Sequence, residues 1–374
     1  MRKERMKKNI IFFVLLLFSL PFSKSGCIDL SNDLFKAKSK PEKIMSGVTQ
    51  VSLGHWHTCA IKEDKSLWCW GSNIYGELGD GSNKQNQHSP KKIIQDVLQV
   101  SLGSFHTCAI KQDKSLWCWG YNSSGQLGDG THWSKNIPTL IIGEVEYVAA
   151  GGSHTCAIKQ DKTLWCWGYN YSGQIGDGTE ELNKPTPQLI MHDVSQVSLG
   201  DEHTCAIKKD GTLWCWGNNS YGQLGNGNYQ NQLTPQMIMN DILQVDLGYD
   251  HTCAIKKDNS LWCWGRNDGG QIGDGTQESK NTPQLIMNDV YQVALGVAHT
   301  CAIKLDGSLW CWGLNGVGEV GDGTFEMRKT PKRIFAGGIT QVAAGGQHTC
   351  AITQNKILWC WGDDGEGQVG DGKF

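Results

Sequence analysis

A large net charge of either sign is missing from this sequence. Its 374 residues hold 34 Lys+Arg against 37 Asp+Glu, a formal charge of −3. With no basic excess there is no electrostatic reason to expect nucleic acid or an anionic membrane as a partner. Helical periodicity is absent throughout the body of the chain, which argues against bundles and doubly wound α/β folds. No Ser-His-Asp set and no isolated pair of carboxylates stands out, so nothing in the sequence nominates a catalytic centre or a cofactor; none is expected. Apolar residues run together only near the start.

That start reads as an export signal covering residues 1–26. Arg2, Lys3, Arg5, Lys7 and Lys8 precede an apolar core, Ile10 to Phe22, interrupted by Ser19 and Pro21. The core is too short to span a bilayer comfortably, which favours a signal over a permanent helix. It ends in Ser-Lys-Ser-Gly-Cys27, which resembles the bacterial lipoprotein processing site and makes Cys27 the expected lipidation position. The alternative is ordinary cleavage near Gly26, leaving Cys27 a free thiol. Residues 27–40 then read as a polar tether. The chain is expected in the cell envelope, lipid-anchored, or secreted, with the membrane involved only through that anchor.

What is abundant is repetition. The frame His57-Thr-Cys-Ala-Ile-Lys-Glu-Asp-Lys-Ser-Leu-Trp-Cys-Trp-Gly71 returns at His106, His154, His203, His251, His299 and His348, at steps of 48 or 49 residues. Repeats of this period dictate the fold. Fourteen of the 16 tryptophans lie in the Trp-Cys-Trp triplets; Trp56 and Trp133 do not. Each frame reads as a β-hairpin turning at Asp64 or its equivalent. Alternation puts His57, Cys59, Ile61, Leu67 and Cys69 on one face and sets Trp68 and Trp70 against Ala60 and Thr58 on the other. A sheet apolar on both faces needs neighbours on both sides, and radial stacking supplies them.

Fifteen cysteines divide into Cys27 and seven pairs ten residues apart. Opposed positions of an antiparallel hairpin fall within disulfide reach. The expected bridges are Cys59–Cys69, Cys108–Cys118, Cys156–Cys166, Cys205–Cys215, Cys253–Cys263, Cys301–Cys311 and Cys350–Cys360. Each would stabilise its hairpin by roughly 3 kcal/mol. The competing reading is a metal held by His57, Cys59 and Cys69; an oxidising compartment favours disulfides, and no metal is expected.

Around each hairpin the plan is constant. A short strand such as Val48–Leu53 precedes it, a Gly-Gln-Leu-Gly-Asp-Gly-Thr turn follows, and a Pro-containing strand closes the unit. Four short antiparallel strands per unit, seven units, make an all-β, seven-bladed β-propeller over residues 41–374. The last unit lacks its Pro-containing strand, and Lys40-Pro-Glu-Lys-Ile-Met45 supplies it, so the N-terminal strand is expected to close the ring.

His-Thr-Cys-Ala-Ile…Leu-Trp-Cys-Trp-Gly-x-Asn…Gly-Gln-Leu-Gly-Asp-Gly-Thr resembles the regulator-of-chromosome-condensation repeat family, with cysteines placed as in exported bacterial members. The resemblance implies seven-bladed propellers that work by binding. It also implies guanine-nucleotide exchange as an alternative activity, although the uniform spacing leaves no inserted hairpin of the kind the founding exchange factor uses. Ahead of exchange stands the first alternative to a binding scaffold, a hydrolase or lyase acting on an envelope polymer.

Histidines repeated in every copy read as structural, and one Asp per Gly-Asp-Gly-Thr loop is too few for a calcium site. Differences between copies carry more information. The pair before each repeated His reads His55-Trp56, Ser104-Phe105, Gly152-Ser153, Asp201-Glu202, Tyr249-Asp250, Val297-Ala298 and Gly346-Gln347. On a propeller these positions ring one rim, placing Trp56, Phe105 and Tyr249 with Asp201, Glu202 and Asp250. Aromatics beside charges suit a protein-binding surface; drift of exposed loop residues is the competing account. Tyr75, Tyr121, Tyr169, Tyr171 and Tyr221 form a second candidate ring. The expectation is a monomeric, non-enzymatic scaffold binding a protein or cell-envelope component through one loop face, with no nucleic acid partner.

Overall fold

A computed structural model describes residues 37–83 and 85–373. The expected signal segment, Cys27 and most of the tether lie outside these residues. The described chain contains strands and turns and no helix, and therefore no helix long and apolar enough to cross a membrane. It folds as seven four-stranded antiparallel sheets, each one blade of a propeller. Blade 1 takes Val48–Leu53 as its inner strand, His57–Lys62 and Leu67–Gly71 as its hairpin, and Gln87–Ile94 as its outer strand.

The hairpin register follows from the turn. Lys65 holds φ 63° and Asp64 accepts hydrogen bonds from Ser66, so Glu63, Asp64 and Lys65 reverse the chain and set Cys59 opposite Cys69 and Ile61 opposite Leu67. The same register recurs in all seven hairpins, and a disulfide joins the opposed cysteines of each, with Cα separations of 4.1 to 4.2 Å.

Both faces of every blade are buried, and they meet unlike faces. Cys59, Ile61, Leu67 and Cys69 of blade 1 pack on Val97, Val100, Ala109 and Trp119 of blade 2. The disulfide face of one blade thus covers the tryptophan face of the next, and the last contact joins Cys350 and Cys360 of blade 7 to Ala60 and Trp70 of blade 1. A small residue opposite each buried Trp leaves room for the indole. Burying seven indoles and seven disulfides gives each interface a continuous apolar filling.

The strand Ala37–Ser46 pairs with Ile357–Asp363 and completes blade 7, so the ring is closed by the N-terminal strand. This strand starts at Ala37, inside the segment expected as tether, because Ala37 and Lys38 already pair with Asp363 and Gly362. Lys38 also meets Asp371 at 2.7 Å across the seam.

Candidate functional site

The repeated polar residues of the hairpins are used up between blades. Nε2 of each repeated His lies 2.8 to 3.0 Å from the Thr hydroxyl of the next blade, from His57–Thr107 round to His348–Thr58. Each of those hydroxyls spends its one hydrogen on a carbonyl 2.8 Å away, for example Thr107 on Glu77 and Thr58 on Gln368. The imidazole must therefore be the donor, and the proton sits on Nε2. The second Trp of the next blade's triplet donates to the same carbonyl at 2.9 to 3.0 Å. Burial drives these histidines far below their ordinary value of 6.5, to about 3 for His57, His106, His154, His203 and His251. They are neutral struts. Gly54 is part of this arrangement, since a Cβ there would meet the His57 ring at 2.4 Å.

The Gly-Asp-Gly-Thr loops are likewise accounted for. Asp129 accepts from Thr131 and caps its own turn, while Lys135 of the outer strand reaches it at 3.3 Å. The same ion pair recurs as Lys184–Asp177, Lys280–Asp274 and Arg328–Asp322. In blade 4, Asn226 keeps the turn contact to Asn219, and the cation's position holds Gln232. Both charges are lost together, so the acid serves the loop and its strand.

Six glutamines of the inner strands line the central channel: Gln50, Gln99, Gln196, Gln244, Gln292 and Gln341. Their amides bridge to the neighbouring inner strand, as Gln99 does to the carbonyl and amide of Val148. Tyr147 occupies the seventh position and makes no such bridge to Val197. Asp246 lines the channel one step further along, half-buried, accepting from Ser198 at 3.1 Å and from the Leu295 amide at 2.8 Å; desolvation holds its carboxyl up at about 7. Sequence comparison of the copies could have found Tyr147 and Asp246, because each interrupts an otherwise uniform column of small or amide side chains.

One mouth of this channel, a cavity of about 300 Å³, is ringed by His55, Ser104, Gly152, Asp201, Tyr249, Val297 and Gly346, the first members of the variable pairs. Within that ring the candidate residues separate into two sectors. On blades 1 and 2, His55, Trp56 and Phe105 form a cluster with ring centroids 4.8 to 5.9 Å apart. Tyr75 joins it 5.4 Å from Phe105 and touches Tyr121 at 4.5 Å. The two rings expected from the sequence thus merge here into one patch, with Ser104 linking the rim through its carbonyl to the His55 amide.

On blades 4 and 5 the character is acidic. Asp201 is half-buried and hydrogen-bonded to Tyr249, and desolvation raises its carboxyl to about 7. Asp250 accepts from Gln223 at 3.3 Å and from Arg266 at 3.4 Å, and burial raises it to about 6. Glu202 accepts from Ser172 and Asn218. Tyr249 therefore belongs with the acids and not with Trp56 and Phe105. Tyr221 lies under the Arg266 guanidinium at 4.9 Å, and Tyr169 and Tyr171 stack on each other at 6.4 Å. Arg266 was not singled out by sequence reasoning; it immediately follows the Trp-Gly of its hairpin, where most copies hold uncharged residues.

The small members of the ring are matched to large neighbours. A Cβ at Gly152 would lie 2.1 Å from Asp201 Oδ1, and one at Gly346 would strike the His55 carbonyl at 2.3 Å. Glycine at these two positions is therefore set by the close approach of the next blade, by the Asp201 side chain at Gly152 and by the His55 backbone at Gly346. Among the described residues no group of His, Cys, Asp and Glu is arranged to hold a metal ion.

A closed ring of seven disulfide-stapled blades, with its variable residues gathered at one channel mouth, defines a repeat β-propeller. The chain belongs to the regulator of chromosome condensation (RCC1) family: the RCC1-like domain model matches residues 144–374, and RCC1 repeat models match 64–110 and 113–158. Human WBSCR16 has a similar structure, 23% identical, with a TM-score of 0.77 over 89% of this chain and 94% of that one. Yeast RCC1 (Prp20), in its crystal structure with Kap60, is 22% identical with a TM-score of 0.74, over 94% of this chain and 89% of that one. A probable human E3 ubiquitin-protein ligase, HERC6, is 40% identical over 53 residues, which is 13% of this chain and 5% of that protein.

Proposed function

We propose that this protein is an exported, non-enzymatic binding scaffold that engages a protein or cell-envelope component through the channel-mouth rim. The observation that carries the reading is the contiguous aromatic patch of His55, Trp56, Tyr75, Phe105 and Tyr121, on the same rim as the separate acidic sector of Asp201, Glu202, Tyr249 and Asp250. Aromatic anchors next to charges are the composition of protein-recognition hot spots. Seven disulfides fit an oxidising compartment. Among structural relatives, yeast Prp20 is described in complex with Kap60 and for its binding to Gsp1p and histones, so protein binding is a use to which this fold is put.

The acids of the rim are each engaged by a neighbour, Asp201 by Tyr249 and Asp250 by Arg266, which favours recognition over acid–base chemistry on an envelope polymer. The test is capture from a cell-surface fraction by the folded protein. Substituting Trp56, Tyr75 and Phe105 together by Ala should abolish capture while the melting profile stays cooperative; undiminished capture by this variant removes the aromatic sector from the binding face.

A further inference from the structure

The outer strands carry a pattern that the hairpins do not. Opposite the first Trp of each triplet, the residue on the outer strand is Lys92, Leu140, Leu189, Met237, Leu285, Arg333 and Lys43 in blades 1 to 7. The next register position, opposite the Cys of the triplet, reads Lys91, Thr139, Gln188, Gln236, Gln284, Lys332 and Glu42 in the same order. Charge therefore falls on blades 6, 7 and 1, which are consecutive in the closed ring. Blades 2 to 5 present apolar side chains there, all roughly half exposed.

Ion pairing sharpens the contrast. The outer strands of blades 2 to 5 hold three cations, Lys135, Lys184 and Lys280, and each is paired to its loop Asp. Those of blades 6, 7 and 1 hold nine, of which Arg328, Lys38 and Lys91 are so paired. The remaining six (Lys329, Lys332, Arg333, Lys40, Lys43 and Lys92) are exposed and lie outside ion-pair distance of every described carboxylate. Glu42 is the one acid among these three strands.

Protection of sheet edges against aggregation would place charge on all seven outer strands alike. It does not account for six free cations on one arc and exposed leucines and methionine on the rest. The chain also enters the ring at blade 7, the middle of the arc, with nine residues between Cys27 and Ala37. Nine residues span about 30 Å at full stretch. The point at which the N-terminal segment joins the propeller is therefore the outer edge of blade 7.

We propose that the outer edge of blades 6, 7 and 1 is a docking surface for the anionic headgroups of a phospholipid membrane, holding the ring edge-on. It is a different surface from the channel-mouth rim and stands or falls separately from it. Basic side chains on the flanking blades act on the surface potential within a Debye length, about 8 to 10 Å at physiological salt. Each one held close to an anionic leaflet strengthens partition about fivefold.

The experiment compares the full chain with its Lys43→Gln, Lys92→Gln, Arg333→Gln variant in sedimentation with vesicles of phosphatidylcholine alone or with one-third phosphatidylglycerol. The leader and its basic residues are common to both proteins, so they cancel. The ratio of anionic to neutral partition should fall at least tenfold in the variant, with the melting temperature and partner capture unchanged. An unaltered ratio overturns the proposal, as does an equal fall in Leu140→Gln, Met237→Gln, Leu285→Gln on the opposite arc. Tight binding to a soluble polyanion with no preference for anionic vesicles also overturns it. If the triple variant fails to fold, the single variants each carry the test, with a several-fold fall expected in each.

Discussion

The hairpins and the surfaces around them obey different rules. In the hairpins seven copies hold the same His, Thr, Cys and Trp, and each side chain meets the adjacent blade through one repeated set of contacts. At the channel rim and on the outer edge the equivalent positions diverge, and they diverge by sector: aromatic on blades 1 and 2, acidic on 4 and 5, basic along the edge of 6, 7 and 1. A residue that must fit both its own blade and the next is constrained twice, so identity across copies marks structure. Freedom to differ, used in coherent arcs, is what the proposed binding surfaces have in common.

The sharpest way to break the repeated frame is at its seam. Removing residues 37–46 strips blade 7 of its outer strand and of the Lys38–Asp371 pair, exposing the Ile357–Asp363 edge. The melting temperature should fall by more than about 10 °C, as expected for losing several kcal/mol; calorimetry showing an unchanged melt would mean that the ring closes without this strand.

Acid should come next. A histidine whose folded value is depressed contributes its stability in full above its unfolded value of 6.5 and loses it as the pH falls. All seven repeated histidines are of this kind, five of them at about 3, His299 at about 4 and His348 well below 6.5. Asp201 and Asp246 at about 7 and Asp250 and Asp364 at about 6 act oppositely: their raised values add stability in acid that is lost as the pH rises through them. The histidines outnumber these acids, so lowering the pH from 7 to 5 should cost a net amount on the order of 5 kcal/mol, from about 1.4 kcal/mol per shifted group per pH unit. A melting temperature that stays level or rises over that range would show that the imidazoles are not buried in the neutral form.

The smallest effect concerns blade 4, whose loop and outer strand lack the ion pair. Converting Asn226→Asp together with Gln232→Lys gives blade 4 the ion pair its neighbours have, and should raise stability by a few tenths of a kcal/mol up to about 1. Either substitution alone should bring less than half of that in denaturant melts. A loss of stability in the double variant would mean that the loop of blade 4 is not equivalent to the others.

Much of the fold was legible beforehand. The turn centred on Asp64 sets the hairpin register, because two strands and a tight turn leave one in-register pairing, and that pairing opposes Cys59 and Cys69. The strand at Pro41 was legible as the missing piece of blade 7, although Ala37 and Lys38, which lack any repeat signature, extend it further back. The rim was legible as a set of positions but not as a surface. Nothing in the sequence says that Tyr75 reaches Phe105 of the next blade, that Tyr249 turns to Asp201, or that Gly152 is small to admit Asp201. The net charge of −3 concealed the basic arc altogether, since a sum discards position.

The sequence by itself determined the repeating unit, its hairpin and the number of blades, because these rest on local pairing and on a period that any stretch of the chain displays. Only the tertiary structure decided which face meets which, where the histidine protons sit, and how the variable residues fall into sectors. The reason is physical: residues some 50 positions apart become neighbours only when a closed ring fixes the angle between one blade and the next.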